Sequence, residues 1–272
     1  MRSIQGIIDS KGGRKLTMLT AYDYTFAGIL DESGVDMILV GDSLANVVLG
    51  LEETRKVSLS EMLNHTSAVA KASRNCLVVA DMPYTAYQKY PLKSAHYARR
   101  FLDSGAAAVK VEWFRRCPVV IEKMVKRKIP VMGHIGLTPQ TVHLLGGYKV
   151  QGKTKKAAAD LLDQAKLLQD LGCFSIVLEC IPAKLAKVIT ASVKIPTIGI
   201  GAGPDCDGQV LVLYDLLGLY QRKKLKFVRA YRDLFSEVKG AVGEFIRDVA
   251  GGRFPASGES FTGGYEAEDT VP

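Results

Sequence analysis

A chain of 272 residues, 47% apolar and 24% charged, can bury a sizeable core, and its length suits one large domain better than two. Its apolar stretches run for only a few residues and Met1-Arg2-Ser3 leads into glycine and charge, so neither a membrane span nor a signal peptide is expected. The formal charge of +8 is spread along the chain except at Arg222, Lys223, Lys224 and Lys226, with Arg229 and Arg232 beyond; with no aromatic or glycine-rich module beside it, this run reads better as a solvated helix face than as a nucleic-acid surface, while the overall field suits a small anionic substrate.

Eight strand-like runs follow in order: Leu16 to Ala21, Met37 to Gly41, Leu77 to Asp81, Ala108 to Glu112, Val131 to Ile135, Ser175 to Cys180, Thr197 to Gly201 and Gln209 to Tyr214, the last with the weakest pattern. Helical patterns lie between them. The clearest are Ser58 to Ala72, where Ser58 and Glu61 form a capping box, and Thr154 to Leu171, where Gly172 supplies the stop. Ala157, Leu161, Ala165, Leu168 and Leu171 give the second helix one buried stripe. The alternation predicts a (β/α)8 barrel. An open, doubly wound sheet would gather its chemistry at one switch point, whereas here polar residues end almost every strand. Beyond the barrel, Phe227, Tyr231, Leu234, Phe235, Val238, Val242, Phe245, Ile246 and Val249 predict a long amphipathic helix with more apolar surface than a free helix needs, to be covered by the barrel or by a neighbouring subunit. Residues 1–250 are expected to form one domain. The remainder, 251–272, has five glycines and no apolar period and is expected to be a flexible tail.

The carboxylates Asp42, Asp81, Glu112 and Glu179 all fall at ends of strand-like runs. Taken alone, Asp42 or Ser43 is best explained as a helix N-cap. Asp81 changes that balance, because the next strand delivers it to the same rim at about 4.8 Å strand spacing, within bridging range of one cation. Lys110 and Glu112, two apart on one strand, point to the same side. Like charges crowded in a half-buried mouth repel and raise one another's pKa, and an all-oxygen set with open positions suits Mg2+ better than zinc. Plain salt bridges with Lys110 are the structural alternative. Glu179 leaves an apolar strand and should be desolvated enough to act as a base near neutral pH, the alternative being a salt bridge with Lys184 or Lys187. His134 is equally readable as a hydrogen-bonding partner of a substrate oxygen or as a structural histidine. Cys76, Cys117, Cys173, Cys180 and Cys206 form no C-x-x-C pair and leave an odd thiol, which argues against a disulfide framework or zinc knuckle and for a reducing, cytoplasmic setting.

The blocks TAYDY from Thr20, VGDS (40–43), ADMPY (80–84), VKVE (109–112), GHIGLTPQ (133–140), GGYKVQGK (146–153), LEC (178–180) and GIGAG (199–203) together resemble the ketopantoate hydroxymethyltransferase family, in order and spacing from about residue 15 to residue 250. The resemblance implies a (β/α)8 barrel of the phosphoenolpyruvate/pyruvate-binding type, with Mg2+ held by Asp42, Asp81 and Glu112. It implies that Ser43 and Lys110 bind the carboxylate end of the keto acid, that His134 touches a substrate or product oxygen, and that Glu179 accepts the proton. The implied reaction joins 3-methyl-2-oxobutanoate to the one-carbon unit of 5,10-methylenetetrahydrofolate, the co-substrate, giving 2-dehydropantoate. The resemblance also implies a cytoplasmic homo-oligomer, often a decamer in the family; no nucleic-acid or membrane partner is expected from the composition. Three departures stand out. Trp113 and Phe114 replace two common glycines beside Glu112, which would reshape the mouth; Ala45-Asn46 replaces a frequent Gly-Met pair; and Tyr214 stands where histidine is common. The competing readings are a Mg2+-dependent lyase or mutase of another 2-oxo acid, a dinucleotide binder using Gly199, Gly201 and Gly203, and a barrel scaffold without catalysis.

Overall fold

The computed structural model describes residues 2–220 and 225–261. Eight parallel strands close in sequence order: β1 (Leu16–Thr20), β2 (Met37–Val40), β3 (Leu77–Asp81), β4 (Ala108–Glu112), β5 (Val131–Gly136), β6 (Ser175–Glu179), β7 (Thr197–Ile200) and β8 (Gly208–Leu211), which pairs back onto β1. The helices are α1 (Ile4–Ile8), α2 (Tyr24–Glu32), α3 (Leu44–Val47), α4 (Leu59–Ala72), α5 (Ser94–Asp103), α6 (Cys117–Val125), α7 (Lys155–Asp170), α8 (Ala183–Ser192), α9 (Leu213–Leu216) and α10 (Leu234–Ala250). The expected barrel is the fold. No helix among the described residues is long and apolar enough to cross a membrane.

Strand alternation sorts the core into two layers. Outward residues such as Ile38, Val40, Val78, Val109, Val111, Ile176 and Leu178 pack under the helices. Inward residues Leu16, Met18, Met37, Leu39, Leu77, Val79, Met132, Val177 and Ile198 fill the barrel, and Ile7 of α1 packs into this inner cluster from the N-terminal end. Ile7 is fully buried, so Ile7→Ala should cost about 2–5 kcal/mol.

The two best helical patterns are present as read. Ser58 and Glu61 make the reciprocal capping box of α4, and Thr154 caps α7, whose Leu161, Ala165 and Leu168 are buried while Ala157 and Leu171 lie at the margin of the stripe. Two boundaries differ by more than a residue. The eighth expected strand runs to Tyr214, but β8 stops at Leu211 and Tyr214 sits in α9, whose Leu213 N–H donates to Thr20 Oγ1 at 3.0 Å. The expected long helix from Phe227 begins only at Leu234, because Asp233 caps it by accepting from the Ser236 N–H, while Phe227 turns back against Gly201. Lys226, Arg229 and Arg232 are exposed as predicted, but on irregular chain and not a helix face; Arg222, Lys223 and Lys224 lie outside the described residues. No residue of α10 is buried. Residues 251–261 are exposed and end in a short 3-10 turn, Ser257–Glu259, and the rest of the expected tail lies outside the described residues.

Candidate active site

Inward positions turn from apolar to polar at the C-terminal ends of four strands. On β3 the series is Leu77, Val79, Asp81; on β4 it is Ala108, Lys110, Glu112; β5 carries Met132 then His134, and β6 Val177 then Glu179. The register sets Asp81 beside Lys110 and Glu112 beside His134. Asp42 and Ser43 follow β2 through Gly41, where a Cβ would come within 3.0 Å of the Ser43 Oγ. Gly136 ends β5 at positive φ, and a Cβ there would lie 2.2 Å from the Glu179 carbonyl, so only glycine lets β5 and β6 meet at this rim. All seven proposed site residues, Ser43 included, line one cavity of about 700 Å³.

Lys110 Nζ donates to Asp81 Oδ2 at 2.6 Å, and the Asp42 N–H reaches the same oxygen at 3.3 Å. Glu112 Oε2 accepts from the Gln140 N–H at 3.1 Å. His134 lies between two acids, its Nδ1 3.6 Å from Glu112 Oε1 and its Nε2 3.3 Å from Glu179 Oε2, but neither contact is aligned as a hydrogen bond. The Ser43 hydroxyl pairs with Tyr22 OH at 2.8 Å. Ser43 begins α3 without a capping hydrogen bond, so the N-cap explanation of this pair fails. Lys187 pairs with Asp205, and Glu179 has His134 beside it, not Lys184 or Lys187, so the salt-bridge alternative for Glu179 is not what the fold builds.

Burial dominates the electrostatics. It pushes the Glu179 carboxyl to about 8, with the Lys110 charge pulling down and Asp42 pushing up. Burial and the neighbouring acids also raise Asp81 and Glu112, against the pull of Lys110, whose ammonium these same carboxylates hold protonated. Burial, then the Lys110 charge, keeps His134 far below its ordinary range and hence neutral. One lysine cannot satisfy four acids. Asp42 Oδ2, Asp81 Oδ1 and Glu112 Oε1 are buried with no hydrogen-bond partner, a costly state that a cation would relieve. Among the described residues no three acidic, histidine or cysteine side chains are already closed round one point as a metal cage. Mg2+ does not require one, since it keeps waters and uses few carboxylates plus substrate oxygens. The donors fit.

Several lining groups were not anticipated. Thr20, Tyr148, Asp215, Phe227 and Arg232 also face the cavity, the last two from the irregular segment after α9. Tyr87 and Gln140, fully buried, brace Glu112 from behind. Trp113 and Phe114 do not narrow the mouth: both line a separate cavity of about 470 Å³ between the loops after β4 and β5 and the start of α7. The glycines 199, 201 and 203 make close contacts with Cys206, Phe227 and Ala183, and no helix follows β7, so the dinucleotide reading lacks its helix N-terminus.

Among solved structures, phosphonopyruvate hydrolase aligns with a TM-score of 0.62 at 14% identity over 93% of this chain and 88% of its own. A 2,3-dimethylmalate lyase of the PEP mutase/isocitrate lyase superfamily aligns with a TM-score of 0.62 at 14% identity, over 91% and 86%. These likenesses concern the fold alone. The proteins named 3-methyl-2-oxobutanoate hydroxymethyltransferase from Syntrophus aciditrophicus and Heliobacterium modesticaldum are 51% and 52% identical over 252 residues, covering 92% of this chain and 93% and 91% of theirs. The family profile described as ketopantoate hydroxymethyltransferase matches residues 2–257. With its polar strand ends gathered in one mouth and this likeness running almost end to end, the chain is an enzyme of the transferase type and belongs to the ketopantoate hydroxymethyltransferase family.

Proposed function

We propose that the enzyme transfers a hydroxymethyl group from 5,10-methylenetetrahydrofolate to 3-methyl-2-oxobutanoate, giving 2-dehydropantoate, with Glu179 as base and Asp42, Asp81 and Glu112 holding Mg2+. The observation that carries this reading is the convergence of three buried acids, each with an orphaned oxygen, and the partly buried Glu179 in one cavity with a single lysine. When bound, the cation would supply Lewis-acid stabilisation of charge developing on the keto oxygen. Lys110, held protonated, offsets the substrate carboxylate and orients it together with the Ser43 hydroxyl. Glu179 takes the proton from C3; its side chain is 15% exposed toward the mouth, and its raised pKa matches a base working near neutral pH. His134 is neutral and so can offer an N–H to a substrate oxygen without adding charge. The folate donor releases its methylene at the formaldehyde level with uptake of one water and leaves as tetrahydrofolate; carbon C3 forms the C–C bond to that one-carbon unit, whose oxygen, from the water, becomes the new hydroxyl on taking back the proton held by Glu179.

The unburied apolar face of α10, including Phe235, Val238, Val242, Phe245, Ile246 and Val249, supports a homo-oligomer, with the decamer implied by resemblance as the assembly to look for by sedimentation. Five unpaired cysteines support a cytoplasmic setting. The test of the chemistry is C3 hydrogen exchange of 3-methyl-2-oxobutanoate in heavy water with Mg2+ and no folate. Exchange that Glu179→Gln abolishes is the expected result; exchange unchanged in that variant would remove Glu179 as the base.

A further inference from the structure

We propose that Tyr87 and Gln140 are positioning residues that hold Glu112 with one carboxylate oxygen turned free into the barrel mouth, an assignment that rests on the cation reading above. Neither residue faces the cavity. Tyr87 lies on a π-helical turn, Thr85–Lys89, a wide geometry that departs from α-helical spacing and often marks functional positions. Its phenol is saturated: the O–H donates to Gln140 Oε1 at 2.8 Å, and the oxygen accepts the Glu112 N–H at 3.2 Å and the Gln88 amide at 3.1 Å. Gln140 is engaged at both ends of its amide and at its main-chain N–H. Its Nε2 donates to the Met82 carbonyl at 3.0 Å, its Oε1 takes the phenol, and its main-chain N–H holds Glu112 Oε2 at 3.1 Å.

The consequence is geometric. Backbone and one side-chain oxygen of Glu112 are tied down, while Oε1 is left with no partner on the side of His134. The same two residues anchor the chain directly after Asp81, through the Met82 carbonyl, to the loop after β5. Two acids from different strands are thereby set by one dry bracket, and Phe114 packs edge-on against its phenol ring at 5.4 Å. Groups that orient ligands from behind in this way typically change metal affinity by about 10- to 100-fold when altered.

The experiment is Mn2+ binding, used as the probe ion, by titration calorimetry and electron paramagnetic resonance on the full chain without substrates, comparing parent, Tyr87→Phe, Gln140→Met and Asp81→Asn. Tyr87→Phe keeps the ring contact and removes only the hydroxyl; Gln140→Met keeps the length and removes the amide. Both should raise the Mn2+ dissociation constant about tenfold or more, and the rise in melting temperature that Mn2+ gives should shrink by comparison with the parent. Equal loss of melting temperature in EDTA and in Mn2+, with affinity within twofold of the parent in both variants, would reduce the pair to packing and overturn the assignment alone. A parent that binds no Mn2+, or binding undiminished in Asp81→Asn, would overturn the cation reading and this assignment with it.

Discussion

Asp36 and Asp207 at the N-terminal end of the barrel are 2% and 6% exposed, and Asp81 and Glu112 at the C-terminal end 1% and 0%, yet the two ends treat their buried charge in opposite ways. Asp36 accepts both Arg14 amines at 2.8 and 2.6 Å and the Thr17 N–H at 2.9 Å, and Asp207 accepts Lys11 at 2.8 Å and the N–H groups of Gly12 and Thr197. Against the upward pull of burial, these donors hold both carboxyls below their ordinary range. At the other end acids crowd around one lysine, and Asp81, Glu112 and Glu179 are pushed up. Pairing at the base serves stability; unmet demand at the mouth is what a reactive site needs.

The largest effect that tests this contrast is at the mouth. Glu179→Gln should lower C3 exchange by about 10²- to 10⁴-fold, as expected for loss of a general base, while Mn2+ affinity stays near the parent's. Comparable loss of both would make Glu179 a ligand and not a base.

At the base the readout is reversed. Asp207→Asn leaves buried donors without their charged acceptor and should cost about 2–3 kcal/mol, lowering the melting temperature by roughly 4–12 °C. Exchange per folded molecule should not change, and a fall in it would show that the two ends are coupled.

Smaller still is an effect of pH with opposite sign at the two ends. A carboxyl raised by folding binds more protons in the native than in the unfolded chain, so Glu179, moved from 4.5 to about 8, contributes stability at low pH that is lost as pH rises through about 8. Asp36 and Asp207, lowered by folding, contribute stability above the unfolded value of 3.8 that is lost as pH falls through their lower native values. In EDTA at pH 8, Glu179→Gln should therefore melt above the parent, by roughly 4–8 °C if water at the mouth reduces the effect to about 2 kcal/mol. A melting temperature equal to or below the parent's would show that the ionised side chain is not under strain.

The smallest expected effect concerns the side-chain bulk next to Glu112. Because Trp113 lines the second cavity, Trp113→Ala should leave exchange within about threefold of the parent, a change of under about 1 kcal/mol in barrier. A larger drop would mean that this wall acts on the mouth after all.

What could be read from sequence was whatever is local. Strand alternation, the Ser58–Glu61 box and the acids at strand ends depend on neighbours a few residues away, and each was found in place. The Phe227 and Tyr231 positions kept a helical apolar spacing, but packing against Gly201 and the Asp233 cap overrode it, so the helix began later. Tyr87 and Gln140 were not picked out for the opposite reason: their meeting depends on a π-helical turn and on β3, β4 and the loop after β5 coming together, and no local period reports that. The destination of Trp113 was equally hidden, since identity and position say that a side chain is large but not which side of the rim it occupies.

Ile7, seated among the innermost side chains, leaves the barrel corked at its foot. The foot is therefore no route to Glu179, which the described residues leave approachable from the C-terminal rim. A small molecule lying against the acids would sit at the closed end of a well, with anything bulkier held between it and solvent.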